Sequence, residues 1–206
     1  MNLKETYNKI AEDWHKQHQD DDWWVEGTDK FVSFLKAGSS VLDVGCGGGK
    51  KSKYLINKGL KVFGIDFSEK MIEIAKREAP EGEFLAMDVK DLVNLDREFD
   101  GILAQAILLH IPKKEISAVL KTLISKLKLG GYLYVAVKET KPGQNEEEIK
   151  TEDDLGYKYQ MFFSYFTPEE IKKYLIDSGL KIIYENILSG QQSITKTRWI
   201  QIIGQK

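Results

Sequence analysis

Cysteine is nearly absent from this sequence, and no long hydrophobic run occurs in it. The single Cys46 cannot form an internal disulfide, which excludes a disulfide-stabilised scaffold and fits a reducing compartment. No apolar stretch approaches the roughly 18 residues of a membrane-spanning helix. The polar start Met1–Glu5 also lacks the basic and then apolar pattern of a secretion signal. We therefore expect a cytoplasmic protein with no membrane partner.

An excess of one charge sign is also missing. The 206 residues carry 30 Lys and Arg against 32 Asp and Glu, a formal net charge of −2. A large duplex-DNA footprint needs a basic surface, so duplex DNA is not expected as a partner, whereas a small groove for an RNA loop stays compatible. The hydrophobic content of 42% excludes a disordered chain, and the length predicts a single domain over residues 1–206.

A glycine-rich turn after a short apolar strand is the most informative feature present. Val41–Val44 is followed by the run Gly45–Gly49, and a helix-permissive stretch begins at Lys50. Glycine permits positive φ and close approach of a ligand, and a helix N-terminus favours an anionic group. Asp66 ends a second apolar strand, where a carboxylate can accept both hydroxyls of a ribose. Together these features predict a cofactor that contains a nucleoside.

The residues of the turn distinguish between two cofactor classes. A dinucleotide fingerprint has the form G-x-G-x-x-G/A, but Lys50 stands where its third small residue should be, and Asp43 has no role in it. The pattern Asp43-x-Gly45-x-Gly47-x-Gly49 instead resembles motif I of class I S-adenosylmethionine-dependent methyltransferases. An NAD-linked oxidoreductase of related fold and a non-catalytic S-adenosylmethionine-binding protein are the alternatives from other classes.

The resemblance to this family continues, in order and spacing, over roughly residues 40–138, about half of the chain. The further segments that resemble family motifs are Gly64–Ser68 with Met71, Met87–Val89, Phe99–Leu103 continuing to His110–Pro112, and Leu127–Leu133. One glycine loop alone would be weak support, whereas five ordered motifs are a specific signature.

The resemblance implies an α/β fold: a three-layer sandwich with a Rossmann-like, seven-stranded, mostly parallel sheet and a C-terminal antiparallel strand pair. Apolar patterns place strands near 41–44, 61–65, 83–87, 99–104 and 132–138, and helices near 50–58, 68–78 and 113–127. Gly59 and Gly130 are candidate helix stops, and Thr167–Glu170 has the form of a capping box. Strands near 180–188 and 197–203 are predicted to be joined by Ser189–Ser193.

Four segments follow from this organisation. Residues 1–37 are predicted to form a helical cover with a break at Asp20–Asp22, and residues 40–138 the cofactor-binding core. Residues 139–166 lack clear periodicity and run long for a connection, so we interpret them as a substrate-side lid. Residues 167–206 are predicted to hold one helix and the C-terminal strand pair.

The resemblance implies S-adenosylmethionine as cofactor, with S-adenosylhomocysteine as product. Asp43 would orient the glycine turn or reach the cofactor amine through water, Asp66 would hold the ribose, and Asp88 would accept from the adenine amino group. The full implied set is Asp43, Gly45, Cys46, Gly47, Gly49, Asp66, Phe67, Met71, Asp88, Val89 and Gln105.

The acceptor side is defined less sharply. His110, after the fourth strand, is the candidate catalytic base, with a buried packing histidine as the alternative. The residues assigned to the substrate side are Tyr7, Trp14, His15, Tyr159 and Phe163. No acid–acid–Asn set or group of thiols stands out, so no metal site is predicted.

The absence of certain family motifs narrows the identity of the methyl acceptor. Nucleobase-methylating motifs are absent after the fourth strand, which leaves an oxygen or nitrogen of a small molecule as the predicted acceptor. A tRNA wobble-uridine methyltransferase is the alternative within the class, because its aromatic stretch is similar to Tyr159–Phe166. A monomer or homodimer is expected.

Overall fold

The computed structural model describes residues 2–188 and 197–206. Its main sheet contains β1 Ser40–Val44, β2 Lys61–Asp66, β3 Glu83–Ala86, β4 Phe99–Gln105, β5 Leu127–Lys138, β8 Lys181–Leu188 and β9 Trp199–Gln205. The strand order is β3-β2-β1-β4-β5-β9-β8, with β1 to β5 parallel and β9 antiparallel to both of its neighbours. The predicted fold class, including the C-terminal antiparallel pair, is confirmed.

Six α-helices accompany the sheet among the described residues: α1 Leu3–Gln17, α2 Val25–Val32, α3 Lys50–Asn57, α4 Glu69–Glu78, α5 Lys113–Ser125 and α6 Pro168–Asp177. The predicted break at Asp20–Asp22 lies between α1 and α2. Ser68 caps α4 by accepting from the Met71 amide, and Thr167 and Glu170 form the predicted capping box of α6. None of the helices in residues 2–188 and 197–206 is long and apolar enough to cross a membrane.

The two faces of the sheet are covered by different helices because side chains alternate along a strand. Leu42 of β1 packs in one apolar cluster with Leu120 of α5. Its neighbour Val41 packs in a second cluster on the other face, with Phe31 of α2 and Leu55 of α3. All five side chains are fully buried, so the parallel strands are covered on both sides, as the three-layer prediction requires.

The structure differs from the predictions in the second half of the chain. Gly130 is not a helix stop, because α5 ends at Ser125 and β5 already begins at Leu127. The pairing of β5 with β4 shifts register between Phe99 and Gly101. Residues 139–166 contain a two-stranded antiparallel hairpin, β6 Glu147–Glu152 and β7 Tyr159–Ser164. The last strand runs over 199–205 rather than 197–203, and the predicted connection 189–193 lies outside the described residues.

Candidate functional site

A cavity of about 780 Å³ lies at the carboxyl ends of the parallel strands. Helix α1, the glycine turn, the ends of β2 and β4 and the hairpin β6–β7 all contribute to its walls. Ligands of open α/β sheets bind in this crevice, and small-molecule sites have volumes of about 300–1,000 Å³. The size and place therefore fit a cofactor together with a small second ligand.

The glycine turn uses two of its glycines in different ways. Gly47 has φ of 52°, and a Cβ there would meet only Trp14, at 3.7 Å, so this backbone borders the cavity. Gly49 has φ of 81°, and a Cβ there would lie 2.9 Å from the Ala75 backbone, so this glycine lets α3 approach α4. Both positions require glycine, one for the ligand side and one for packing.

Asp66 lies at the end of β2 with its carboxylate against the turn. Its two oxygens accept from the backbone amides of Gly47, at 3.0 Å, and Ser68, at 2.8 Å. Burial of the carboxylate raises the pKa of Asp66 to about 6, although the two amide hydrogen bonds favour the ionised form. The Asp66 carboxylate is thus held at the cavity wall, where it can accept hydrogen bonds from hydroxyl groups of a ligand.

The raised pKa of Asp66 leads to a testable pH dependence. Two hydroxyls can donate to the carboxylate only when it is ionised, so protonation should weaken nucleoside binding. We expect the Kd for S-adenosylhomocysteine to be flat above pH of about 6 and to rise about tenfold per pH unit below it. Calorimetric titration across this range measures the effect, and Asp66→Asn should remove the inflection; an inflection that persists in this variant would assign it to another group.

Asp43 and Cys46 are buried beside the turn. Asp43 Oδ2 accepts from Ser52 Oγ at 2.6 Å and does not line the cavity, so it joins β1 to α3 below the turn. Burial raises the pKa of this carboxyl. The Cys46 side chain packs in an apolar cluster with Ile72 and Phe84, and burial raises the pKa of its thiol well above its usual value. The structure therefore favours the loop-orienting role for Asp43.

Five further predicted cofactor residues line the same cavity: Phe67, Met71, Asp88, Val89 and Gln105. The exposed Asp88 accepts from the Lys90 amide at 2.9 Å through one oxygen. Buried Gln105 donates to Tyr134 Oη at 3.3 Å, whereas its Oε1 has no hydrogen-bond partner among the described residues. A buried, unsatisfied acceptor is costly, so this oxygen is suited to accept a hydrogen bond from a ligand.

Tyr7 and His110 form a hydrogen-bonded pair that lines the same cavity, with the Tyr7 ring centroid 5.6 Å from that of Phe67. The Tyr7 hydroxyl lies 2.9 Å from His110 Nε2, and His110 Nδ1 lies 2.8 Å from the Phe162 carbonyl oxygen. Because a carbonyl can only accept, Nδ1 carries the proton, and Nε2 of the neutral ring accepts from Tyr7. Burial lowers the pKa of His110 to about 4 and raises that of Tyr7, so both groups are neutral near pH 7.

The other predicted substrate-side residues also border the cavity: Trp14, His15, Tyr159 and Phe163. Trp14 stacks on His18 with ring centroids 4.1 Å apart. The following turn is tied to α3, because Lys50 Nζ donates to the carbonyls of His18, at 3.0 Å, and Asp21, at 2.6 Å. The lysine that departs from the dinucleotide fingerprint therefore connects the N-terminal cover to the helix after the glycine turn.

Comparison with known proteins shows what this chain is similar to. The family model for a methyltransferase domain matches residues 41–131. An S-adenosylmethionine-dependent methyltransferase structure from Methanosarcina mazei is 25% identical, with a TM-score of 0.74, and covers 86% of this chain and 96% of that one. Residues 41–131 therefore match a methyltransferase domain, and the chain is similar in sequence and fold to S-adenosylmethionine-dependent methyltransferases.

The curated relatives differ in the share of the chain that they match, and the chain spans less than half the length of some of them. The ubiquinone biosynthesis O-methyltransferase of Coxiella burnetii (strain Dugway 5J108-111) is 35% identical over 101 residues, and the match spans 47% of this chain and only 42% of that protein. The same-named protein of Rhizobium leguminosarum bv. trifolii (strain WSM2304) is 29% identical over 172 residues, 77% of this chain and 68% of that protein. The structure of Burkholderia thailandensis 1,6-didemethyltoxoflavin-N1-methyltransferase covers 99% of this chain at 19% identity, with a TM-score of 0.78, which shows a shared fold.

Several residues that line the cavity were not predicted from the sequence. Lys138 at the end of β5, Met161 of β7 and Trp199 of β9 line it, and so does Ala106, which has φ of 62° directly after β4. A non-glycine residue with positive φ at a ligand cavity marks a locally strained backbone. The rule that places ligands at strand ends could have selected Lys138, but nothing in the local sequence distinguishes it from the many other lysines.

Proposed function

We propose that this protein transfers a methyl group from S-adenosylmethionine to an oxygen or nitrogen of a small-molecule acceptor, in the cytoplasm. One observation carries the proposal: a nucleoside-type site and a polar acceptor wall share a single cavity. The first consists of the glycine turn with Asp66, and the second is the Tyr7–His110 pair. The match to a methyltransferase domain and the relatives named as methyltransferases support the same chemistry.

The residues present fit S-adenosylmethionine. The bare backbone at Gly47 leaves room beside the turn, the Asp66 carboxylate suits a ribose, and the unpartnered Gln105 Oε1 suits the ammonium of a methionine moiety. Asp88 and Phe67 line the part of the cavity assigned to adenine. When bound, this cofactor supplies a methyl group already activated on sulfur, so the protein must mainly orient the acceptor and exclude water.

The Tyr7–His110 pair offers a path for the proton of the acceptor. The Tyr7 hydroxyl can take that proton while its own passes to His110 Nε2, and the Phe162 carbonyl holds the ring in the required tautomer. A histidine with a pKa of about 4 is a weak base. A weak base suffices here, because an oxygen or nitrogen that gains a methyl cation becomes strongly acidic.

Calorimetric titration with S-adenosylmethionine and, separately, with NAD tests the cofactor assignment. We expect a one-to-one complex with the first and no binding of NAD. Formation of S-adenosylhomocysteine in the presence of a metabolite extract, measured against extract alone, then tests catalysis. Preferential binding of NAD would contradict the cofactor, and cofactor binding without product from any metabolite or tRNA fraction would support a non-catalytic protein.

We also propose that α1 and the hairpin β6–β7 together cover the cavity and open for exchange of ligands. Exposed polar contacts join them: Tyr157 Oη donates to Asp13 at 2.9 Å, and Gln17 Nε2 donates to the Asp154 carbonyl at 3.3 Å. Active-site covers belong to the less stable parts of a structure. Contacts of this kind can break without disturbing the core.

The cover leads to a prediction for amide hydrogen exchange. Amides of residues 3–17 and 147–164 should exchange faster than those of β4 in the free protein, and should become protected when S-adenosylhomocysteine binds. Mass spectrometry of peptides from both states measures this, with β4 as the internal control. Full protection in the free protein and no response to the ligand would mean that both segments are ordinary core.

A further inference from the structure

Lys138 is a half-buried cation at the cavity, and its ammonium has aromatic neighbours but no acidic partner among the described residues. It is the last residue of β5, and its Nζ makes no hydrogen bond or ion pair with any residue in 2–188 or 197–206. Burial lowers the pKa of Lys138 to about 8, which leaves the amine mostly charged at neutral pH. An unpaired ammonium in a partly desolvated site is costly, so an anion bound beside it would be favoured.

The acidic side chains near Lys138 already have other partners. Glu152 forms an ion pair with Lys150 at 2.7 Å, and Glu148 accepts from Tyr165 Oη at 2.6 Å. Glu139, the next residue along the chain, pairs with Arg198 at 2.9 Å. The charge of Lys138 is therefore directed to the cavity rather than used within the fold.

Aromatic rings surround this cation on the cavity side. Its Nζ lies 4.1 Å from the centroid of the Phe163 ring and 6.0 Å from that of Trp199. Trp199 in turn stacks on Trp23 with centroids 4.0 Å apart and planes 13° apart. Flat apolar walls of this kind accommodate a planar ring better than a bulky aliphatic group.

The same ring connects Lys138 to the acceptor wall. The Phe163 centroid lies 5.1 Å from that of His110, so only one aromatic side chain separates the cation from the Tyr7–His110 pair. Burial is the main cause of the lowered pKa of His110, and the charge of Lys138 lowers it further. A ligand of single-ring size could therefore contact Lys138 and the Tyr7–His110 pair together.

We infer that the methyl acceptor is a planar aromatic compound with a single negative charge, a carboxylate or an ionised phenol, which Lys138 binds. This inference rests on the proposed function and names its substrate class. Lys138 holds the anionic group, and Phe163 and Trp199 flank the ring. Lys138 is a binding residue that selects charge, and the proton path through Tyr7 and His110 is needed only when the methylated atom carries a proton.

Matched probes test this inference in protein saturated with S-adenosylhomocysteine. Calorimetry compares benzoate with benzamide, and pentafluorophenolate with pentafluorobenzene, at neutral pH. At least one anion should bind about tenfold or more tightly than its neutral counterpart, the range for one charge-assisted contact. Preference for benzoate indicates a carboxylate acceptor, and preference for pentafluorophenolate indicates an ionised phenol.

Three variants assign the effect to Lys138. Lys138→Met should bring anion and neutral probe within about twofold of each other, whereas Lys138→Arg should retain the preference. Lys121→Met is the control, because Lys121 is exposed on α5, does not line the cavity and has no effect on the pKa of Lys138. The affinity for S-adenosylhomocysteine should be equal in all variants, which also reports folding.

The outcomes separate this inference from the proposed function. If S-adenosylhomocysteine binds but neither anion is preferred, or if Lys138→Met keeps the preference, the acceptor class is wrong and the methyltransferase assignment survives. If S-adenosylhomocysteine does not bind the unaltered protein, the proposed function fails and this inference fails with it.

Discussion

Replacing Gly47 with valine should raise the Kd for S-adenosylmethionine at least about 100-fold. Gly47 has φ of 52°, a conformation that costs a β-branched residue about 3 kcal/mol, and a Cβ there would project toward the cavity. The turn must then either keep its shape under strain or move its amide away from Asp66, and both outcomes weaken the site. Calorimetric titration of the purified variant measures the loss.

Gly38→Val is the matched control for backbone strain. Gly38 also has positive φ, 78°, but a Cβ there would meet nothing within 4 Å, and the residue does not line the cavity. This variant should lose stability to a similar extent and still bind the cofactor normally. Normal affinity in Gly47→Val would show that the turn is only a structural connection.

Replacing Asp66 with alanine should weaken S-adenosylmethionine binding by about 1.5–3 kcal/mol, which is about 10- to 150-fold in Kd. The reason is the loss of the acceptor for two ribose hydroxyls. The fold should survive, because burial raises the pKa of this carboxyl to about 6, so its ionised form is held at a cost in the free protein. Calorimetry and a thermal melt of the same sample measure the two effects.

Asp100→Ala provides the comparison for a strand-associated carboxylate far from the cavity. Asp100 is near the start of β4, where it accepts from the backbone and side chain of Ser40, both at 2.8 Å, and it does not line the cavity. Its loss should lower the melting temperature without changing cofactor affinity. Equal affinity in Asp66→Ala and the unaltered protein would remove Asp66 from the ribose site.

The cofactor half of the site follows from local sequence. The turn Gly45–Gly49 follows the end of one strand, and Asp66 is the last residue of the next. The end of a strand and the turn after it are encoded by a few neighbouring residues, so both features can be recognised in the sequence. Parallel strands then bring their carboxyl ends to one edge, so the two meet in space through the fold class alone. Gly47 and Asp66 are hydrogen-bonded in the structure for this reason.

The role of Asp43 shows where the motif alone was insufficient. The sequence allowed a contact with the cofactor amine or an orienting role, and only the packing of α3 on β1 reveals that Ser52 donates to one oxygen of the Asp43 carboxylate. The hairpin of residues 147–164 is a similar case. No side chain of β6 is fully buried, whereas β7 buries Tyr159, Met161 and Phe163, so the hairpin joins the core through one strand only.

What the sequence determined by itself is therefore the fold class and the position of the glycine turn and Asp66, because these depend on short-range patterns. Only the tertiary structure decided which residues make up the proposed acceptor wall. Tyr7 meets His110 across 103 residues of chain, and Lys138 has no acidic partner among residues 2–188 and 197–206 because the surrounding acids pair elsewhere. Long-range contacts of this kind depend on how three separate segments pack together, and no spacing in the chain encodes them.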